Sequence, residues 1–236
     1  MKVYIGYDER EYEAAMVAVK SLRHVTNSEI EPEFLCLPKL IDQGLITRTF
    51  DRRGGQGYDL TAGPAETFST DFKFTRFLAP ILCQQGYALF VDCDVVFLRD
   101  PREMLHEVHA RHALNVVRHE DAKYPDALHK MDGQVQAHYP RKNAASVMLW
   151  NVDHPANRRL SLRDVNERPG RDLHAFYWLA DNEIGTLSPQ WNWLVDVGPR
   201  PPGLGLGIAH MTLGGPWLED WQGGSFDDEW RAARDR

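Results

Sequence analysis

Tyr87-Ala88-Leu89-Phe90-Val91-Asp92-Cys93-Asp94-Val95-Val96-Phe97-Leu98 is an apolar run interrupted by two carboxylates. Its length and its content of valine and aromatic residues predict a buried central strand. Side chains two apart on extended backbone leave by the same face, so Asp92 and Asp94 are expected to point together. Carboxylates held that close repel, and need a cation, a proton or a basic partner. The expectation is a divalent metal at this strand end. Cys93, between them, points to the opposite face and is expected to pack and not to react.

The stretches before this run have the pattern of a parallel sheet covered by helices. Lys2–Gly6 reads as a strand and Tyr7–Glu11 as a polar turn. Tyr12–His24 reads as a helix with Lys20, Arg23 and His24 placed to complement its dipole. Glu33–Leu37 reads as a second strand. Strand and helix in alternation predict an α/β fold whose ligands bind at the carboxyl ends of the strands. The glycine-rich segment 51–64 reads as a mobile loop, a plain connection in the first reading and a lid over a ligand in the sharper one. Ser69–Gln85 reads as a helix capped by Ser69 or Thr70 and broken near Pro80, with Lys73 and Arg76 on one face, either a solvated basic face or a phosphate-facing pair.

Beyond the carboxylates, Pro101–Leu105 reads as a short helix, and 112–117 and 145–150 as strands. Segments 155–168, 173–179 and 226–234 read as helical, and 190–194 as a strand. The polar stretch 119–141, with His119, Tyr124, His129, His138 and Tyr139, takes no assignment. No internal repeat or linker divides the chain, so one domain is expected over 1–236.

A formal net charge of −7 argues against a nucleic-acid partner bound through phosphate neutralisation. The three cysteines, Cys36, Cys83 and Cys93, have no metal-ligand or disulfide spacing, which suits a reducing compartment. Met1–Ile5 reads as the opening strand and not as a leader, and no apolar run reaches membrane-spanning length. A cytoplasmic location is expected, with association at a membrane surface left open.

Oxygen ligands at Asp92 and Asp94 favour Mg²⁺ or Mn²⁺. His210 ends a short apolar segment before a glycine-rich turn and is the best third ligand; an imidazole tilts the choice towards Mn²⁺. A cation on two carboxylates with open positions commonly grips a diphosphate.

The ordered motifs resemble the GT-A fold glycosyltransferases of family 8, the type of bacterial galactosyltransferases and glycogenin. Phe90–Asp94 resembles their DxD motif. Tyr7-Asp8 and the following helix resemble their nucleotide-base pocket, and Arg76 resembles an arginine that contacts donor diphosphate or sugar. Asn143-Ala144 opens a strand similar to one facing the donor sugar. Asp181-Asn182-Glu183 is similar to an Asp-Gln-Asp helix start near the reaction centre. His210 to Gly214 and Pro216-Trp217 resemble the closing motif, whose histidine completes the metal site.

The resemblance implies a single Rossmann-like GT-A domain with a mostly parallel central sheet. Residues 1–118 would form its nucleotide-sugar-binding half and 119–236 its sugar and acceptor half. It implies transfer of a hexose from a nucleotide sugar, UDP-linked, to an acceptor (a glycan, a lipid-linked sugar or a protein) with retention of configuration. Asp181 or Glu183 would stabilise the oxocarbenium-like centre or act on the acceptor hydroxyl. Two positions depart from the pattern. Asn182 stands where the family has glutamine, and Gly215 where a lysine precedes Pro-Trp; Arg200, or Arg52 and Arg53, could replace that charge. Two rival readings share the DxD signal: a haloacid-dehalogenase-like phosphatase with Asp92 as nucleophile, and a non-catalytic nucleotide-sugar binder.

Overall fold

The computed structural model describes residues 1–53, 56–119, 143–202 and 205–236. Of the unassigned polar stretch, only His119 is among them; Tyr124, His129, His138 and Tyr139 lie outside the described residues, as do Gly54 and Gly55.

The chain opens with β1 (Lys2–Tyr7), α1 (Tyr12–Val25), β2 (Glu33–Cys36) and α2 (Leu37–Asp42). Ala15, Ala18, Val19 and Leu22 of α1 join Val3, Tyr4 and Ile5 of β1 in the main core, which is why both segments are so apolar. Next come β3 (Phe50–Arg53), β4 (Gln56–Asp59) and β5 (Glu66–Phe68), then α3 (Phe72–Thr75) and α4 (Ala79–Leu82). The strands β6 (Tyr87–Val91), β7 (Val95–Phe97), β8 (Leu114–Arg118) and β9 (Asn143–Asn151) follow. The chain finishes with α5 (Leu162–Glu167), α6 (Gly170–His174), β10 (Ile184–Thr186), β11 (Trp193–Leu194), β12 (Ile208–His210) and α7 (Asp227–Arg234).

The central sheet has six strands in the order β10-β8-β9-β6-β1-β2. β1 pairs in parallel with β2 and β6, and β10 with β8, while β9 runs antiparallel between β6 and β8. Every strand except β9 therefore points the same way, and their carboxyl ends gather at one edge. A mostly parallel sheet flanked by helices is the architecture expected from the sequence.

The 87–98 run is two strands and not one. Val91 pairs with Val147 in the central sheet, whereas Val95 pairs with His210 in a small sheet ordered β11-β12-β7. The chain bends at Asp92–Asp94 to serve both. The Asp92 N–H donates to the Ser146 carbonyl at 2.9 Å, and the Asp94 carbonyl accepts from Met211 N–H at 2.9 Å.

Segment 51–64 is likewise not a plain loop, because β3, β4 and β5 form a three-stranded antiparallel sheet. Gly57 pairs with Phe68, and a Cβ there would fall 2.4 Å from the Phe68 ring, so that glycine serves close packing. Beneath this sheet a fully buried ion pair joins Arg48 to Asp59 at 2.5 Å, with the guanidinium over the Phe74 ring.

The expected helix 69–85 is α3, a 3₁₀ turn at Arg76–Leu78 and α4, with Pro80 in the first turn of α4, where it costs no hydrogen bond. Asp71, not Ser69 or Thr70, occupies its N-cap position. Segment 173–179 leaves the helix after His174, and Phe176 adopts a positive φ of 50° to seat its ring against Phe77, Trp150 and Trp178. In 155–168, a 3₁₀ turn at Pro155–Arg159 precedes α5, which starts on a Ser161–Asp164 capping box. Only Trp193–Leu194 of 190–194 is strand.

Candidate metal centre

Asp92 leaves the end of β6, Asp94 precedes β7, and the β7–β12 pairing brings His210 beside them. One ligand atom from each of the three lies within 4.8 Å of the others, the one group of this kind among the described residues. His210 Nε2 is 3.2 Å from Asp94 Oδ1, and His210 is buried. Two carboxylate oxygens and one imidazole nitrogen are a donor set suited to Mn²⁺ or Mg²⁺.

Arg76 is built into the floor of this site. Its guanidinium donates to the Phe72 carbonyl at 3.1 Å and the Ala145 carbonyl at 2.7 Å, and Nη2 is 3.3 Å from Asp92 Oδ1. The rings of Phe72 and Phe90 lie against it. Lys73 goes elsewhere. Its Nζ is 3.2 Å from Glu66 and donates to the Thr67 carbonyl at 2.9 Å, and burial lowers its pKa. The expected pairing of Lys73 with Arg76 on one face is therefore not formed, because the helix breaks at the 3₁₀ turn and each cation has its own partners.

Tyr7 and Asp8 lie at the carboxyl end of β1, on the same edge as Asp92. The Tyr7 ring packs on Phe34 at 5.2 Å. Asp8 is buried; it accepts from Arg10 Nη2 at 2.7 Å and from the Asp71 N–H at 3.1 Å, while Arg52 pairs with Asp71. Asn143 opens β9 and Ala144 follows it, again at this edge, with Asn143 opposite Arg118. Gly214 takes a φ of 107°, and Trp217 packs on Trp230 of α7 at 5.7 Å. A Cβ on Gly215 would fall 2.0 Å from the Trp217 ring. A side chain at 215 would therefore require the Trp217 ring to move. Arg200 lies over Trp193.

Asp181, Asn182 and Glu183 are at the wrong end of the sheet for the chemistry expected of them. They precede β10, whose Ile184 pairs with Leu114; Leu114 pairs with Trp150, and Trp150 with Ala88 at the start of β6. Asp92 is four residues further along β6, about 13 Å on at the usual strand rise. At the amino edge, the Glu183 carbonyl accepts the Ala113 N–H at 2.8 Å and its carboxylate pairs with Arg159 at 2.5 Å. Asn182 and Glu183 line an open cleft there with Arg111, His112 and His154.

Two groups behind the metal centre have no counterpart in the expected site. Asn192 is fully buried and links His210, Ser146 and His119. Its sequence signal was a lone amide between Trp191 and Trp193. Burial, with His210 nearby, depresses the His119 pKa to about 4. Glu11 is also buried, and accepts from the Cys93 thiol at 2.8 Å. Cys93 thus packs as expected, with its pKa raised by burial.

Burial first, then the charge of Asp94, pushes Glu11 up to about 8 from 4.5. Between those values the native state binds a proton that the unfolded chain has released, so stability is full below the lower value and falls as pH rises through the higher one. In metal-free protein, wild type is expected to lose stability relative to Glu11→Gln from pH 5 to 8, by at most about 1.4 kcal/mol per pH unit. Urea unfolding of both proteins at the two pH values checks this; parallel pH dependences would refute it.

No protein-family model matches the chain. Protein CDI of Arabidopsis thaliana is 36% identical to it over 233 residues, which cover 97% of this chain and 84% of the plant protein. The chain belongs to the family of Protein CDI. Among solved structures, the glycosyltransferase GlyE of Streptococcus pneumoniae TIGR4 matches 99% of this chain with a TM-score of 0.59 at 16% identity. The chain spans 59% of GlyE's length. The galactosyltransferase LgtC, in complex with donor and acceptor sugar analogues, matches 100% of this chain and 95% of its own with a TM-score of 0.57 at 14% identity. These likenesses establish the GT-A fold of this member of the Protein CDI family, and the strand end bearing Asp92 and Asp94 is where that fold was expected to carry its DxD motif. Among the described residues no helix is long and apolar enough to cross a membrane.

Proposed function

We propose that the chain transfers a hexose from a UDP-sugar to an acceptor hydroxyl, with retention of configuration and with a divalent cation held by Asp92, Asp94 and His210. The observation that carries this reading is the cluster itself, two carboxylates and an imidazole within 4.8 Å at the carboxyl edge of a GT-A sheet. A bound Mn²⁺ or Mg²⁺ supplies positive charge against the diphosphate of the leaving nucleotide. The chain's own residues shape the rest. Tyr7, at the end of β1, borders the nucleotide side, and Asp8 ties Arg10 and the Asp71 backbone into a fixed wall. Arg76 fixes the bend that presents Asp92, and Asn143-Ala144 opens the strand beside it. The acceptor is a glycan, a lipid-linked sugar or a protein. The free cysteines suit a cytoplasmic enzyme.

The phosphatase reading has little support, because Asp92 faces the Arg76 guanidinium and the structural likenesses named above are to glycosyltransferases. The non-catalytic reading draws on one observation, the removal of Asp181–Glu183 to the far edge of the sheet. A panel of UDP- and GDP-sugars separates the three. The expected result is one UDP-sugar that binds only with Mn²⁺ and is turned over to free UDP. Metal-dependent binding without UDP release, with water or any acceptor, would favour the binder. Hydrolysis of a phosphomonoester without donor turnover would restore the phosphatase.

A further inference from the structure

Asn192 lies one residue before β11, and its neighbour Trp193 pairs with Ala209 beside His210. A fully buried primary amide must satisfy two N–H donors and one carbonyl acceptor. Here Nδ2 is 3.0 Å from Ser146 Oγ and 3.1 Å from His119 Nε2, while Oδ1 is 3.0 Å from His210 Nδ1. The other ring nitrogen of His210, Nε2, is the one 3.2 Å from Asp94. The two faces of the imidazole thus have separate tasks, one towards the amide and one towards the carboxylates. Ser146 also accepts the Asp92 N–H through its own carbonyl, so the amide links His210 to the strand that holds the Asp92–Asp94 bend.

We propose that Asn192 is a positioning residue for His210: its amide oxygen accepts the Nδ1 proton, so that Nε2 is the nitrogen turned towards Asp92 and Asp94 and left to ligate a cation. The amide cannot turn over without cost, because its nitrogen already donates to Ser146 and His119. With the amide reversed, its N–H would need a lone pair on Nδ1, and the ring proton would sit on Nε2, where it blocks a ligand position. A hydrogen-bond acceptor behind a ligating histidine both orients the ring and sets its tautomer, and its loss commonly costs about 10–100-fold in metal affinity. This proposal rests on the metal-centre reading above.

The test uses the full chain as wild type, Asn192→Leu and Asn192→Asp. Long-range ¹H–¹⁵N correlation spectra of metal-free protein report the His210 tautomer, and the free Mn²⁺ EPR signal reports affinity. In wild type Nδ1 is expected to carry a proton, donated to the Asn192 amide oxygen. Asn192→Leu is expected to lose that preference and to bind Mn²⁺ about 10–100-fold more weakly. Asn192→Asp keeps an acceptor at Nδ1 and can accept from the Ser146 hydroxyl but no longer donates to His119, and is expected to retain the Nδ1 proton and affinity within about tenfold of wild type. An Nδ1 without a proton in wild type, wild-type Mn²⁺ affinity in Asn192→Leu, or equal losses in both variants would overturn the proposal. Should Asn192→Leu not fold, the wild-type and Asn192→Asp spectra decide it alone. If wild type binds no Mn²⁺ at all, the metal-centre reading fails, while the tautomer still settles whether Asn192 orients His210.

Discussion

Asp94→Ala is expected to abolish Mn²⁺-dependent donor binding and to lower UDP release by at least about a thousandfold, with the fold intact. The substitution removes one of only three ligand side chains in the cluster. It spares the backbone, because the hydrogen bond at this residue is from Met211 N–H to the carbonyl, which alanine keeps. The charge balance also favours a folded variant. Asp94 sits beside Asp92 and contributes to the raised pKa of buried Glu11, so its removal relieves repulsion in metal-free protein. Lost activity combined with unchanged or higher metal-free stability is the signature of a ligand, and loss of both is that of a structural residue. Asp181→Asn and Glu183→Gln are the matching controls. At the opposite edge of the sheet they should leave UDP release within about twofold of wild type, and the exposed Arg159–Glu183 pair should cost less than about 1 kcal/mol. Thermal shift with and without Mn²⁺, alongside UDP release, reads all three variants. Mn²⁺-dependent stabilisation surviving in Asp94→Ala would refute the metal centre, and a collapse of activity in Asp181→Asn would refute the placement of that segment.

The displacement of Asp181–Glu183 shows which parts of the site could be read from residues and which could not. In a parallel sheet, residues that follow a strand lie at the carboxyl edge and residues that precede one lie at the amino edge. Asp92 follows β6, and Tyr7 and Asp8 end β1, so these strands announce their edge through long apolar runs buried on both faces. Ile184–Thr186 is three residues with a glycine in the middle, too short to stand out as a strand. Unrecognised, it left the acidic triplet with no edge to belong to, and a local likeness supplied the wrong one. His210 lies beside the carboxylates because the short apolar strand it ends pairs with β7. Segment 190–194 reads as a strand, yet Asn192 itself stays hidden, because its partners, His119 just after β8, Ser146 of β9 and His210 of β12, carry no local spacing. The bend at Asp92–Asp94 was invisible for the opposite reason. Apolar residues continue on both sides, and nothing local shows that Val91 and Val95 pair with different sheets. Gly57, beside paired Phe68, made packing look like mobility.

Loss of Arg76 should damage the fold around the metal centre. Arg76→Ala is expected to destabilise the chain by about 3–5 kcal/mol, because it removes the ion pair to partly buried Asp92 and the donor to two carbonyls together. Urea unfolding of metal-free protein without donor measures this directly. The resemblance to donor-binding arginines makes a different forecast, in which the guanidinium chiefly serves the diphosphate and its removal leaves unliganded stability untouched. Arg76→Lys sharpens the contrast. Lysine keeps the charge, which suffices for a phosphate contact, but it lacks the planar fork that reaches the Phe72 and Ala145 carbonyls and Asp92 while lying between two phenylalanine rings. If Arg76 anchors the bend, Arg76→Lys loses most of the stability that Arg76→Ala loses, and Asp92→Asn couples to both by about 0.5–3 kcal/mol in a double-mutant cycle. If Arg76→Lys is as stable as wild type and loses only donor affinity, the anchor is refuted. Arg76 would then be a ligand contact that meets Asp92 only while the donor is absent.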